Sequence, residues 1–222
     1  SIGIGYNCMA GGVSGSGKSL TALKLAKVLA TKTLVIDTEN DSAKLFVNNP
    51  DVPKPYYIYN LTKYKVANYI ALLKDAADKG FDMCIIDSLT PSWNKKDGVL
   101  DQVGGNVRNW KDIGNPQLDA LVEAIQSYRD RMHVIATLRA KPEVAIEKSD
   151  SGSMVVRSLG VQIQHREGLV YEFDIVGHID QQHVMRFDGI GKQRCEALDG
   201  KEFIQPGADL GVILKEWLHG NA

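Results

Sequence analysis

The sequence predicts an α/β fold: a mostly parallel central sheet with helices on both faces, and antiparallel strands near the C-terminus. Three observations carry this. The runs Thr33–Asp37 and Met83–Asp87 are apolar without polar alternation and end in Asp, as strands buried on both faces do. Stretches of helical period alternate with them along the chain, which favours parallel strands joined by crossover helices. A glycine-rich segment at 12–19 lies between a strand-like run and a helix-like one.

Taken in order, residues 4–10 read as a short strand weakened by Asn7. Residues 18–30 read as a helix with Leu20, Leu23, Ala26, Leu29 and Ala30 near one face. After strand 33–37, a second helix is predicted over 66–79, with Val66, Ile70, Leu73 and Ala77 on one stripe and Gly80 at its end. Strand 83–87 follows. Residues 92–114 contain four glycines and read as a mobile loop. A third helix is expected from Asn115-Pro116 to about Met132, and a strand from His133 to Leu138. Residues 142–160 are polar and rich in Gly and Ser, so a second long loop is expected. Strand-like runs follow near 169–176, 183–187 and 190–195, and 207–219 suits a terminal helix. Loops of about 20 residues are often functional.

The chain of 222 residues fits one domain spanning 1–222. Its hydrophobic fraction of 44% and charged fraction of 24% are those of soluble globular proteins. No run of 18 apolar residues marks a membrane span, and residues 1–5 lack the features of a signal peptide. Cys8, Cys84 and Cys195 are isolated, with no C-x-x-C spacing, which suits buried thiols in a reducing cytosol. A cytoplasmic location is therefore expected. The net charge of −1 gives no global attraction for nucleic acid, so any such site must be local.

Gly12-Val13-Ser14-Gly15-Ser16-Gly17-Lys18-Ser19 matches G-x-x-x-x-G-K-S/T at every position. The glycines let the backbone wrap close to phosphate oxygens. The amides of Ser14 through Leu20 then form an anion nest where a helix begins, and the helix dipole adds positive potential. Lys18 can reach the β- and γ-phosphates of ATP, and the Ser19 hydroxyl can ligate Mg²⁺. By average usage such a match arises by chance in roughly one chain in a hundred of this length, and here it also sits between strand and helix.

Asp87 ends an apolar strand, so it is expected at the sheet edge near the phosphates, holding Mg²⁺ directly or through water. The alternative is a turn-capping Asp beside Ser88. Many ATPases of this type carry Glu directly after the metal-binding Asp; here that position is Ser88. Glu39 is then the candidate for activating water, on the expectation that strand 33–37 lies beside the phosphate-loop strand. Asp37 is a rival base, and a solvated loop acid is the plain alternative. Thr137, at the end of strand 133–138, is a candidate γ-phosphate sensor ahead of Arg139 and Lys141.

Asp37-Thr38-Glu39, Ile86-Asp87-Ser88 and Ile135–Lys141 fall in the order of RecA-type recombinase ATPase cores. Over nearly its whole length the chain resembles phage-encoded Sak-type single-strand annealing ATPases, and Tyr171–Asp174 and Gly191–Cys195 share in the resemblance. It implies a RecA-like P-loop NTPase fold and a catalytic role for Glu39. It also implies a sensor at Thr137, where RecA has Gln, and two DNA-facing loops at 89–115 and 142–160. Lys192 and Arg194 would reach a neighbouring subunit's ATP, so a ring or filament is implied. RecA's large accessory domains have no counterpart, so its strand exchange is not implied. A single-stranded DNA-binding protein is a possible partner, and the cytoplasm would be that of a bacterial host.

Two cations spaced i, i+2 on a strand point the same way, which suits arginine fingers, or equally a solvated pair guarding an edge strand. Trp93, Lys95, Lys96, Arg108, Trp110 and Lys111 interleave aromatics with cations, as single-stranded DNA sites do, and Lys148 and Arg157 add charge in the second loop. Nearby acids offset them, and two solvated loops are the alternative. His178, Asp180 and His183 do not converge as metal ligands. The rival readings are a P-loop phosphotransferase for a small molecule, which lacks an evident Arg-rich lid, and a slowly hydrolysing regulatory or assembly protein.

Overall fold

A computed structural model describes residues 7–12, 14–148, 154–166, 168–187 and 194–220, with only the backbone course of 7–11, 142–148 and 154–161. Strands β1 (Asn7–Gly12), β2 (Thr33–Asp37), β3 (Tyr56–Asn60), β4 (Met83–Asp87), β5 (His133–Lys148) and β7 (Ile175–Ile179) pair in parallel in the order β3-β2-β4-β5-β1-β7. β8 (Val184–Arg186) and β9 (Glu202–Ile204) extend the β7 edge with antiparallel pairing. β6 (Met154–Ile163) pairs antiparallel with the distal half of β5 only.

The helices are α1 (Lys18–Leu29), α2 (Val66–Asp78), α3 (Pro91–Asn94), α4 (Val99–Val103), α5 (Asn115–Gln126) and α6 (Ala208–Leu218). They form two outer layers. Every residue of β2 and β4 is buried, because alternate side chains serve opposite cores. Val35, Met83, Ile85 and Ile135 pack with α1 and α6, whereas Leu34, Ile36, Cys84, Ile86 and Val134 pack with α2 and α5. α2 faces its core with Val66, Tyr69, Leu73, Ala76 and Ala77, and Ile70 is only partly covered. A buried Leu or Ile contributes roughly 1.5–3 kcal/mol, so the two cores hold the sheet from both sides.

Five expectations are corrected. β2 does not adjoin the phosphate-loop strand; β4 and β5 lie between it and β1. Segment 92–114 is built rather than loose: α3, α4 and a π-helical turn at Trp110–Gly114 occupy it. Gly98 and Gly114 serve close packing, whereas Gly104 and Gly105 face open space. A Cβ on Gly114 would sit 2.5 Å from the Trp110 ring, and one on Gly98 2.8 Å from the Pro91 carbonyl. Within segment 142–160, residues 142–148 extend β5 and 154–160 lie on β6, the two pairing antiparallel with a register shift between Glu143 and Val144, and 149–153 lie outside the described residues. Of the C-terminal runs, Leu169–Glu172 is a 3₁₀ turn; residues 190–193 of the run 190–195 lie outside the described residues, and Arg194 and Cys195 precede a 3₁₀ turn at Glu196–Leu198. α5 also stops at Gln126, where Ser127 turns its hydroxyl onto the Glu123 carbonyl at 2.6 Å. β3 and β9 had no counterpart in the sequence reading.

Candidate functional site

The parallel registers bring four strand ends to one edge. Gly12 of β1 stands opposite Arg139 of β5, Ala10 opposite Thr137, and Asp37 of β2 opposite Asp87 of β4. Gly12 ends β1 at this edge, and residues 14–17 lead into α1. Gly15 (φ 81°) and Gly17 (φ 95°) take left-handed conformations that side chains resist. The α1 N-terminus thus opens onto a cavity of 310 Å³ lined by Ser14, Gly15, Gly17, Lys18, Ser19, Leu20, Glu39, Ser42, Phe46, Asp87, Ser88 and Arg139. Gly12 and Ser16 lie buried beneath it. A larger cavity of 590 Å³ between α5 and residues 165–172 shares none of these residues and has no such loop.

Lys18 is 8% exposed and bonds the Gly12 carbonyl through Nζ at 3.0 Å. Burial pulls its ammonium below its ordinary pKa, against the raising influence of Asp87 and Glu39. Asp87 is 2% exposed. Burial raises its carboxyl above the ordinary range, although hydrogen bonds from Ser19 and Thr137 favour the charged form. Thr137 donates from Oγ1 to Asp87 Oδ1 at 2.5 Å, and Ser42 Oγ stands 3.5 Å from Oδ2.

Thr38 ties the two acidic strand ends together. Its amide donates to the Asp87 carbonyl at 2.8 Å, and its hydroxyl bonds Ser88 N at 2.7 Å and Ser88 O at 2.9 Å. Asp37 is spent on local backbone: it accepts from Glu39 N at 2.7 Å and Ala43 N at 3.0 Å, which also shapes the turn that delivers Glu39. It lines no part of the phosphate cavity, which removes it as a rival base. Glu39 reaches the cavity although β2 is remote from β1, because the turn after β2 carries it across the end of β4. There Arg139 grips both carboxylate oxygens, Nε to Oε1 at 3.0 Å and Nη2 to Oε2.

Other expected site residues fall differently. Thr137 is fully buried with its hydroxyl on Asp87, so it lines no surface on which a γ-phosphate would rest. Trp93 and Trp110 are turned inward: they pack on the core with ring centroids 5.7 Å apart, and Trp93 stacks on His165 at 5.4 Å. Both rings remain partly exposed. Lys95, Lys96, Arg108 and Lys111 are exposed. The side chains of Lys148 and Arg157, on β5 and β6, lie outside the described residues, as does Lys192. Arg194 pairs through Nε with Asp174 of its own chain at 3.3 Å, and Arg129 holds the other oxygen of that buried carboxylate.

Two contributors escaped the sequence reading. His183 Nδ1 lies 2.9 Å from the Ser16 carbonyl, which only accepts, so Nδ1 carries the proton and braces the loop from the turn before β8. Its nearness in space to residue 16 has no local sequence signal. Arg139 was visible only as a cation after a strand.

The cleft fits a magnesium nucleotide. Ser16 Oγ is buried with no hydrogen-bond partner among the described residues, and Ser19 and Asp87 stand together where a metal would bridge to phosphates. Among the described residues no cluster of three His, Cys, Asp or Glu could hold a metal by itself. Mg²⁺, which keeps several waters and takes one or two protein ligands beside phosphate oxygens, suits this sparse set. A family model described as an AAA domain matches residues 4–202. The chain belongs to the AAA domain family. This AAA domain is a P-loop NTPase, whose family activity is nucleotide binding and hydrolysis. The comparison with curated proteins finds no match. No helix among the described residues is long and apolar enough to cross a membrane.

Proposed function

We propose that this AAA domain is an ATPase with a RecA-type core that acts on single-stranded DNA in phage recombination or replication. The observation that carries the ATPase reading is the convergence of Lys18, Ser19, Asp87 and Glu39 on one cleft at the start of α1. The amides of 14–20 and the Lys18 ammonium bind the triphosphate. Ser19 and Asp87 would hold Mg²⁺, which would supply charge neutralisation at the phosphates. Glu39 orients a water for in-line attack and receives its proton as the bond to the leaving diphosphate breaks.

The DNA part rests on the family resemblance and on the exposed cations Lys95, Lys96, Arg108 and Lys111. Residues on the β5–β6 hairpin, Lys148 and Arg157 among them, complete the surface. With Trp93 and Trp110 packed inward, phosphate contacts dominate over stacking, so affinity falls with salt. The chain forms one domain, assembles as a ring or filament, and places Lys192 and Arg194 at the neighbour's ATP; a cytoplasmic site in a bacterial host and a single-stranded DNA-binding partner complete the reading.

The ATPase rate is to be measured with and without single-stranded DNA, recording oligomer size in the same samples. Stimulation by DNA is expected; equal rates and no binding would remove the DNA role. Lys18→Ala should abolish nucleotide binding. Glu39→Gln should keep binding and lose on the order of 10²–10³ in turnover; intact turnover would remove the catalytic assignment. Restored activity on mixing Lys18→Ala subunits with Lys192→Ala/Arg194→Ala subunits supports action in trans, and its absence counts against it.

A further inference from the structure

Arg139 occupies an unusual position. It is the register partner of Gly12, the first residue of the phosphate loop. It is also the last residue of β5 before that strand leaves the central sheet for the hairpin. Its backbone is held from both sides: its amide donates to Thr90 Oγ1 at 2.9 Å, and its carbonyl accepts from Gln164 N at 2.8 Å. The guanidinium is therefore the part that can move. It faces Glu39 and Asp87, with Lys18 and Tyr64 also within electrostatic reach, and lines the phosphate cavity.

The fork-to-fork geometry spends two of the carboxylate's acceptor sites on N–H groups. A carboxylate held this way is a weak partner for water. A terminal phosphate entering the same cavity offers the guanidinium another pair of oxygens for bidentate contact, with more charge. We propose that Arg139 is a positioning residue that exchanges from Glu39 to the terminal phosphate, so that nucleoside triphosphate, and not diphosphate, releases Glu39 to orient water. This rests on the ATPase reading above and adds a control to it: the water-orienting carboxylate stays clasped until a third phosphate is present.

The two partners then compete for one guanidinium, and this competition is measurable without turnover. Binding of Mg²⁺ with the non-hydrolysable β,γ-imido analogue of ATP, and separately with ADP, is measured for wild type, Glu39→Ala, Arg139→Ala and the double variant. Glu39→Ala should tighten the analogue by up to about fivefold, the range for a half-exposed ion pair, with little change for ADP. In the Arg139→Ala background the gain should vanish. Simple removal of negative charge would instead give the same gain in both backgrounds, and that result overturns the exchange, as does an equal gain for ADP. Arg139→Gln, nearer in length, repeats the cycle should the alanine variant fold poorly. Lys18→Ala separates the two claims. If it binds the analogue as wild type does, the nucleotide-site reading fails. If it does not bind while the cycle shows no coupling, only the exchange fails.

Discussion

Thr137→Val tests how the cleft keeps a buried carboxylate charged. Valine matches threonine in shape but cannot donate the 2.5 Å hydrogen bond to Asp87 Oδ1. Both residues are buried, at 0% and 2% exposure, so water cannot replace the lost donor without disturbing the packing. A hydrogen bond to a charged group contributes about 1.5–3 kcal/mol, and that is the expected loss at pH 7 without nucleotide. For a chain this size, it corresponds to a fall in Tm of roughly 2–4 °C per kcal/mol. The loss should depend on pH. Burial already raises the Asp87 pKa above its unfolded value. Asp87 therefore keeps its proton to higher pH than in the unfolded chain, and its ionisation lowers stability as pH rises from about 4 through the folded-state pKa. Removing the Thr137 donor raises the folded pKa further, so wild type and variant should diverge as pH rises and converge toward pH 4. Urea denaturation at pH 4.5 and pH 7.5, at equal ionic strength, measures both differences. A difference below about 0.5 kcal/mol at pH 7.5, or an equal one at both pH values, would refute the account of Asp87 as a charge sustained by its hydroxyl neighbours.

Gly12→Ala should destabilise by about 1–3 kcal/mol, because its Cβ would lie 2.5 Å from the Ile179 carbonyl and 2.8 Å from Ser16 Oγ, and the backbone of β7 cannot yield; unchanged denaturation would place the loop elsewhere. Burial pushes the His165 imidazole down to about 3. The unfolded chain therefore takes up a proton near pH 6.5 that the folded chain refuses, and stability falls as pH drops below that value. His165→Asn should flatten this acid slope by about 2 kcal/mol between pH 6.5 and 4.5, read from denaturation midpoints across that range. With Trp93 and Trp110 packed inward, saturating single-stranded DNA should shift tryptophan emission little, and raising salt from 50 to 200 mM should weaken DNA binding by at least tenfold; strong quenching with salt-independent binding would return both rings to the DNA.

Local rules made much of the site legible. The spacing of Gly12, Gly17, Lys18 and Ser19 specifies a phosphate loop because each role is played within eight residues of chain. β2 and β4 were readable as strands buried on both faces, and their final Asp residues as strand-end acids, because burial on two sides leaves an unbroken apolar run. The glycines of 92–114 misled, because the same residue that permits motion also permits a tryptophan ring to approach the backbone. The stretch 142–160 read as loop because Pro142, Glu143, Glu147, Lys148 and the polar run 149–153 interrupt its apolar residues, although β5 and β6 pair on either side of that run. β3 was missed although Tyr57 and Tyr59 alternate with Tyr56 and Ile58, the former pair being about half exposed on an edge strand.

The sequence by itself determined that a triphosphate-binding turn precedes a helix, that two acids end buried strands, and that parallel strands alternate with helices. Only the tertiary structure decided which strand lies beside which, and with it the partners of those acids. Glu39 meets Arg139 across 100 residues, and Asp87 meets Thr137 across 50. Such meetings depend on strand order and register, which arise from the packing of whole faces against two cores and leave no mark in the neighbourhood of any one residue.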